Sequence, residues 1–263
     1  MEDGVATLKE DLGPDYVQSL ERGLAVLRCF SGTRPSLTLS EVAEAIGLTR
    51  ATARRLLLTL AGLGYVRLDG RAFSLTPQVL CLGYAYLSSL GIGDLAHGPM
   101  QALVDQVQES SSVTVLDRDD IVYVARVPTS RLMTMSAGLG TRLPAYPTSL
   151  GRVLLAGLDA DRLDEYLRRV RLVALTPHTI TDKDALRAAV AQARDQGWAL
   201  VDQELELGVR SVAAPLRDRR GATVAALNIS AHAGRVSAAE LRRHMLPLVR
   251  ATADEISGLL MHR

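Results

Sequence analysis

The stretch LTLSEVAEAIGLTRATARRLLLTLAGLGYV, residues 37–66, sets the architecture of the first third of the chain. Thr38-Leu39-Ser40-Glu41 has the form of a capping box, in which the Thr38 hydroxyl accepts from the Glu41 N–H and the Glu41 carboxylate reaches back. Val42, Ala43 and Ile46 then point inward, and Gly47 closes this short helix by supplying the positive φ of a C′ residue. A second helix opens almost at once, capped by Thr49. Its residues Ala53, Leu56, Leu57, Leu60 and Leu63 recur at helical spacing and define a buried stripe. At 100° per residue, Ala51, Arg54, Arg55 and Leu58 fall on the opposite face, with Thr52 beside them. Gly64 ends the helix.

Outward from this pair, the apolar positions Leu20, Leu24, Val26, Leu27 and Phe30 predict a preceding helix over about Leu20–Phe30, capped by Ser19 and broken by Ser31-Gly32-Thr33-Arg34-Pro35. On the other side, Tyr65–Leu68 and Arg71–Leu75 are short alternating runs across Asp69-Gly70, a strong hairpin signal. Helix, short helix, glycine turn, helix and hairpin read as a winged helix-turn-helix. Its last helix would lie in a major groove, where hydroxyls and guanidiniums reach phosphates and base edges. The candidate DNA contacts are Thr38 and Ser40 on the short helix, Thr49, Arg50, Thr52, Arg54 and Arg55 on the projecting helix, and Arg67 and Arg71 flanking the wing turn. The competing reading is a helical subdomain with a solvated arginine face.

Composition narrows the rest. A chain of 263 residues fits one or two domains at ~150 residues each. Hydrophobic residues at 48% and charged residues at 22% exclude a disordered chain, and with aromatics at 4% the cores must be built from Leu, Val, Ala and Ile. A net charge of +1 excludes a strong global attraction to nucleic acid or membrane, so any attraction is local. Residues 45–75 hold such a patch, with five Arg against one Asp. Cys29 and Cys81 are too few for a disulfide framework or a cysteine zinc site. The acidic start lacks the apolar core of a signal peptide, and no stretch approaches the ~20 apolar residues of a membrane span. A reduced, cytoplasmic protein without a membrane partner is expected.

The expected organisation is a flexible tail over 1–16, the winged head over 17–76, a linker helix over 77–91 begun by Thr76-Pro77, and a second domain over 92–263. Its expected order is helix 94–109, strands 112–117, 121–127 and 132–137, a loop, helices 149–157, 161–168 and 183–196, strands 198–203, 209–216 and 222–231, and helix 237–261. Hairpin-spaced strands mixed with helices predict an α+β arrangement with an antiparallel sheet.

Thr148-Ser149-Leu150-Gly151 opens a helix after Pro144 and Pro147. Free N–H groups and two hydroxyls there suit a carboxylate, or serve plain N-capping. Asp202, Ser211, Asn228 and Ser230 are polar residues late in the domain. Asn228 and Ser230 share one strand face, where they either line a cavity or hydrogen-bond within the core. Arg126, Arg131, Arg142 and Arg210 are candidate counter-ions for a carboxylate, with Arg142 and Arg131 favoured. The five His (97, 178, 232, 244 and 262) have no metal-ligand spacing, and no nucleophile elbow, Walker loop or dinucleotide fingerprint appears. A sensor without metal or cofactor is expected rather than an enzyme.

VQSLERGLAVLRCF, the 37–66 stretch, SLTPQVLCLG, RLPAYPTSLGRVLLAGL, ELELGVRSVAAPLRD and AALNISAH together resemble the IclR family of bacterial transcriptional regulators over about residues 17–260. DYVQSLERGLAVL and MSAGLGTRLPAYPTSLGRVLL are most similar to its PcaR/PcaU/PobR-type branch, which controls aromatic-acid breakdown through the β-ketoadipate pathway. The resemblance implies a GAF-like effector domain whose pocket takes a small organic acid. Carried over by position, it implicates Met133 or Met135, Ser149, Leu150, Val209, Ser211, Asn228 and Ser230. Several relatives have Ser at the position of Asn228. It further implies pairing through the head and linker helix, as a homodimer or a dimer of dimers. The expected function is regulation from double-stranded operator DNA in response to a small carboxylic acid such as protocatechuate, 4-hydroxybenzoate or β-ketoadipate. The alternatives are an IclR-type regulator of another small-acid pathway and an enzyme domain fused to a DNA-binding head.

Overall fold

A computed structural model of the chain describes residues 12–129 and 137–261. The chain divides after Tyr86 into two compact units.

The first unit opens with a 3-10 turn (Gly13–Asp15) and helix α1 (Gln18–Arg28). Val17 occupies the N-cap of α1 with no side-chain cap bond. Ser19 is therefore inside the helix rather than at its cap, because the chain becomes helical earlier than the apolar pattern does. Strand β1 (Ser36–Thr38) runs directly into α2 (Leu39–Ala45). The capping box forms as expected: the Glu41 N–H donates to Thr38 Oγ1, and the Thr38 N–H and hydroxyl donate to Glu41 Oε2, each at 2.7 Å. Gly47 takes φ +63° and turns the chain into α3 (Arg50–Gly62), capped by Thr49.

Strands β2 (Val66–Asp69) and β3 (Ala72–Leu75) follow, and β1 joins them in a sheet of order β1-β3-β2. Asp69 pairs with Ala72, so the two-residue turn is Gly70-Arg71 and not Asp69-Gly70. Gly70 supplies the positive φ, and Arg71 sits in the turn rather than beside it. Val26, Phe30, Leu37, Val42, Leu57, Leu60, Val66 and Phe73 form the core of this unit. Leu63 was expected in the buried stripe of α3 but is 61% exposed, because it lies beyond the last helical turn. The expected linker helix starts as a 3-10 turn (Pro77–Val79) capped by Thr76, and only then becomes α4 (Leu80–Leu90).

The second unit contains α5 (Ile92–Val107), β4 (Ser110–Asp117), β5 (Asp120–Val127), β6 (Arg142–Pro144), α6 (Ser149–Ala156), α7 (Ala160–Arg169), α8 (Lys183–Gln196), β7 (Ala199–Asp202), β8 (Val209–Arg217) and β9 (Thr223–His232). The C-terminal segments are α9 (Ala238–Glu240), a π turn (Leu241–Met245) and α10 (Leu246–Met261), where one uninterrupted helix was expected. Six strands form one antiparallel sheet of order β6-β5-β4-β9-β8-β7. β6 occupies a stretch read as loop. The strand expected at 132–137 falls almost wholly outside the described residues.

Alternation along the strands feeds two cores. Val212, Ala214, Leu216, Leu227 and Ile229 pack with residues of α5 and α10. Ala213 and Ala226 face Leu150, Val153, Leu154 and Leu155 of α6, with α7 and α8 behind. Burying each such leucine or isoleucine contributes about 1.5–3 kcal/mol, which holds α6 flat on the sheet. Gly151 lets the first turn of α6 close on the preceding loop: a Cβ there would stand 2.0 Å from the Ala145 carbonyl oxygen.

Between Val113 and Thr114 the β4–β5 register shifts, so that Thr114 pairs with Tyr123 but Val113 pairs with Ala125. This β-bulge turns one residue of β5 out of step and reorients the side chains beyond it.

Candidate functional site

In the first unit, Thr49 Oγ1 accepts from the Thr52 N–H at 3.3 Å and lies 3.0 Å from Thr52 Oγ1, fixing the first turn of α3. Arg50, Arg54 and Arg55 are exposed along that helix and enter no ion pair among the described residues. Ser40 is exposed on α2, whereas the Thr38 hydroxyl is committed to Glu41. Glu41 gains from this: the Thr38 N–H and hydroxyl hold its carboxyl below the usual glutamate value. On the wing, Arg67 Nε donates to Ser74 Oγ at 2.9 Å, and Arg71 is exposed at the turn.

The same unit carries an apolar groove of about 760 Å³ between α1 and α3, walled by Leu20, Leu24, Leu27, Leu56, Leu63 and Leu82. Leu20, Leu24, Leu63 and Leu82 are all exposed. The spacing of Leu20 and Leu24 alone does not separate this outward face from the core.

In the second unit, Ser149, Leu150, Val209, Ser211, Asn228 and Ser230 line one small cavity of about 40 Å³. Tyr123, Pro147, Thr148, Val201 and Leu205 line it too, and among the described residues its lining contains no charged residue. Ser149 Oγ meets Ser211 Oγ at 2.8 Å. Thr148 caps α6, accepting from the Gly151 N–H at 2.9 Å and donating to the Ala145 carbonyl. Asn228 is 4% exposed; its Nδ2 donates to Ser230 Oγ at 3.1 Å, and its Oδ1 has no partner among the described residues. Burial pushes the Tyr123 phenol above its ordinary pKa.

Two expected effector residues lie elsewhere. Arg142 is exposed at the far edge of the sheet, with Nη1 2.6 Å from Asp117 Oδ2 and Nε 3.1 Å from Asp120 Oδ2. The pairing of β6 with β5 places it beside the β4–β5 turn and not at the cavity. Asp202 is outside the cavity lining and is held by Arg210, whose Nη2 and Nε reach its two carboxylate oxygens at 2.8 and 2.9 Å. That guanidinium keeps the Asp202 carboxyl below the usual aspartate value. Arg131, Met133 and Met135 lie outside the described residues.

Arg152 and Glu204 were not anticipated. Arg152 Nη2 pairs with Glu204 Oε2 at 2.7 Å, both side chains being buried, and Arg152 Nε donates to the Tyr146 carbonyl at 2.6 Å. The Thr179 hydroxyl donates to the Glu204 carbonyl at 2.6 Å, and the Ile180 N–H to Glu204 Oε2 at 3.3 Å. These bonds tie the loop carrying Leu205 to α6. Burial lowers the pKa of Arg152, and the Glu204 charge opposes that shift. An arginine between Leu150-Gly151 and Val153-Leu154-Leu155, in an otherwise apolar stretch, is the one sequence signal that marks it.

Comparison with known proteins bears on both units. The model of the IclR helix-turn-helix domain matches residues 19–70, and that of the bacterial transcriptional regulator IclR C-terminal domain matches residues 84–258. The chain is 45% identical over 244 residues to the Pca regulon regulatory protein of Pseudomonas putida, covering 92% of this chain and 84% of that protein. A crystal structure of a transcriptional regulator from Rhodococcus sp. RHA1 is 55% identical, with a TM-score of 0.83 over 93% of this chain and 98% of that one. The inducer-binding domain of a double mutant of the PobR transcription factor from Acinetobacter, in complex with 3-hydroxybenzoic acid, is 36% identical. Its TM-score is 0.60 over 63% of this chain and 97% of that one.

Proposed function

Because the chain belongs to the IclR family of bacterial transcriptional regulators, we propose that it controls genes of aromatic-acid breakdown through the β-ketoadipate pathway in response to a small aromatic acid. The observation that carries this reading is the cavity against the N-terminus of α6, where Thr148, Ser149, Ser211, Asn228, Ser230 and the Tyr123 phenol sit among apolar side chains. A ring packs on Leu150, Val201 and Leu205 while Ser149, Ser211, Asn228 and Ser230 take its polar substituents. The likeness to a PobR inducer-binding domain that holds 3-hydroxybenzoic acid supports it.

The head supplies operator binding. Thr49, Arg50, Thr52, Arg54 and Arg55 face the major groove, Ser40 approaches the backbone, Arg67 and Arg71 meet the flanking phosphates, and Thr38 acts through the cap. A second copy of the chain covers the exposed leucines Leu20, Leu24, Leu63 and Leu82 of the head's groove, leaves Thr52 and Arg55 of the same groove to the DNA, and presents two recognition helices to a pseudopalindromic operator. Glutamate at Leu24 or Leu63 then weakens self-association in sedimentation and costs operator affinity. Among the described residues no single helix is long and apolar enough to cross a membrane. A cytoplasmic location follows from the reading that operator DNA is the partner. The linker segment 77–91 carries the coupling.

The acid binds one of two conformational states more tightly, and the bound operator biases the same equilibrium, so each ligand changes the other's affinity by one factor. Calorimetric titration of protocatechuate, 4-hydroxybenzoate, cis,cis-muconate and β-ketoadipate, with and without the promoter fragment upstream of the gene, tests this. An operator-dependent affinity for one of them is the expected result. A response confined to a non-aromatic acid outside this set assigns another pathway, and no change for any acid removes the coupling.

A further inference from the structure

The cavity needs a cation for a carboxylate, and among the described residues its own lining has none. Arg142, Arg152 and Arg210 are each in ion pairs, with Asp117 and Asp120, with Glu204, and with Asp202. Arg126 is different. It is half-buried, its one hydrogen bond among the described residues is a long 3.4 Å contact to Ser112 Oγ, and it has no acidic partner among them.

The bulge decides where Arg126 points. Tyr123 and Arg126 are three residues apart and in a regular strand would face opposite sides of the sheet. Here Tyr123 pairs with Thr114 and Arg126 with Ser112, two residues apart on β4, so both side chains stand on the α6 side. Ser112 in turn pairs with Asn228. Arg126, Ser112 and Asn228 therefore form one rung across β5, β4 and β9, and Asn228 and Tyr123 already line the cavity. Two inter-strand spacings put the ends of the rung about 10 Å apart at the backbone, a span that matches an aromatic ring with a polar group at each end, and the cavity of about 40 Å³ widens to admit one.

Unsatisfied atoms cluster on the same face. Among the described residues Thr114 Oγ1 and Asn228 Oδ1 are buried and have no partner, on adjacent strands two residues apart in register. A buried carbonyl oxygen without a donor is an energetic liability unless a ligand supplies one. A ring hydroxyl does so; an unsubstituted ring edge does not.

We propose that Arg126 binds the effector's carboxylate and that Asn228 Oδ1 accepts from its ring hydroxyl, so that this cavity selects hydroxylated aromatic acids. The assignment rests on the reading of the cavity as the effector site. It makes the bulge a functional device, since restoring regular register would turn Arg126 away.

Calorimetry on the full-length protein with 4-hydroxybenzoate, 4-hydroxybenzamide and benzoate separates the two roles. The wild type is expected to favour 4-hydroxybenzoate over both others. Arg126→Gln lowers affinity for the acid about tenfold or more while leaving the amide unchanged, and Arg126→Lys retains part of the acid's advantage. Asn228→Leu abolishes the preference over benzoate but keeps the preference over the amide. Leu205→Trp, which fills the cavity from its half-buried wall, blocks all three; thermal unfolding of each variant confirms a folded protein. If Leu205→Trp blocks binding while Arg126→Gln or Asn228→Leu keeps wild-type selectivity, the assignment is overturned and the cavity reading survives. If Leu205→Trp binds 4-hydroxybenzoate as the wild type does, or the wild type binds no acid at all, both fall.

Discussion

Ser149 Oγ and Ser211 Oγ lie 2.8 Å apart, a buried contact that ties the first turn of α6 to the centre of β8. Both side chains are buried, so removing one hydroxyl leaves the other without this partner. Ser149→Ala and Ser211→Ala are each expected to cost about 1–3 kcal/mol, whereas the double variant costs less than their sum because no unpaired group remains. Urea unfolding midpoints of the four proteins measure the coupling. Strict additivity would show that the contact contributes nothing.

The Arg152–Glu204 pair is a larger hazard. Both side chains are almost wholly buried, and the Arg152 guanidinium has no other acid in contact. Glu204→Gln leaves an uncompensated charge and is expected to destabilise by about 3–5 kcal/mol. The pair Arg152→Met with Glu204→Leu recovers much of that loss, since two apolar chains of similar size need no solvation. Hydrogen exchange at residues 203–208 reports the second consequence: with the pair broken, the Leu205 loop loses its tie to α6 and exchanges faster.

Arg142 makes the opposite case. Its guanidinium and the two carboxylates it meets are all more than a third exposed, so solvent screens the cluster. Arg142→Ala is expected to change stability by at most about 1 kcal/mol and to leave 4-hydroxybenzoate affinity where it was. A calorimetric loss of binding in that variant would return it to the effector site.

How far the sequence could be read follows range of interaction. The capping box at Thr38 and Glu41, the Thr49 cap and the Leu57–Leu60 stripe are settled within a few residues, and all of them form. Asn228 and Ser230 announce themselves as polar residues at period two in an apolar strand. What escaped is set by partners far along the chain. β1 and β6 have three residues each and exist through pairing with β3 and β5. Arg142 meets Asp120 and Asp117 across 22 and 25 residues, which no local pattern reveals. The direction of Arg126 depends on a bulge, and one residue of register inverts a face.

Acid should loosen the start of α2 before it unfolds the protein. The Thr38 N–H and hydroxyl lower the Glu41 pKa below the ordinary glutamate value of 4.5. A depressed carboxylate stabilises fully above that unfolded-state value and ceases to do so as pH falls through the lowered folded-state value. Exchange protection of the Thr38 amide, which donates to Glu41 Oε2, is therefore expected to hold above 4.5 and to decline below it. In Glu41→Gln the neutral amide still closes the box, so the pH dependence disappears while part of the protection remains. An unchanged acid profile in that variant would assign the effect to another carboxylate.

The arginines of the head divide by what they touch. Arg55 lies diametrically opposite the buried positions Ala53, Leu57 and Leu60 of α3, where a helix seated in a major groove presents its base-reading side. Arg67 is anchored to Ser74 on the wing, a position suited to the phosphate backbone. Arg55→Ala is expected to cost about 1–3 kcal/mol on the specific operator and much less on random DNA. Arg67→Ala should weaken both duplexes alike and reduce the slope of log affinity against log salt by about 0.9 per neutralised phosphate in each subunit. Fluorescence anisotropy across a salt series, on both duplexes, separates these outcomes. Equal losses for Arg55→Ala on the two duplexes would move that residue from base reading to backbone contact.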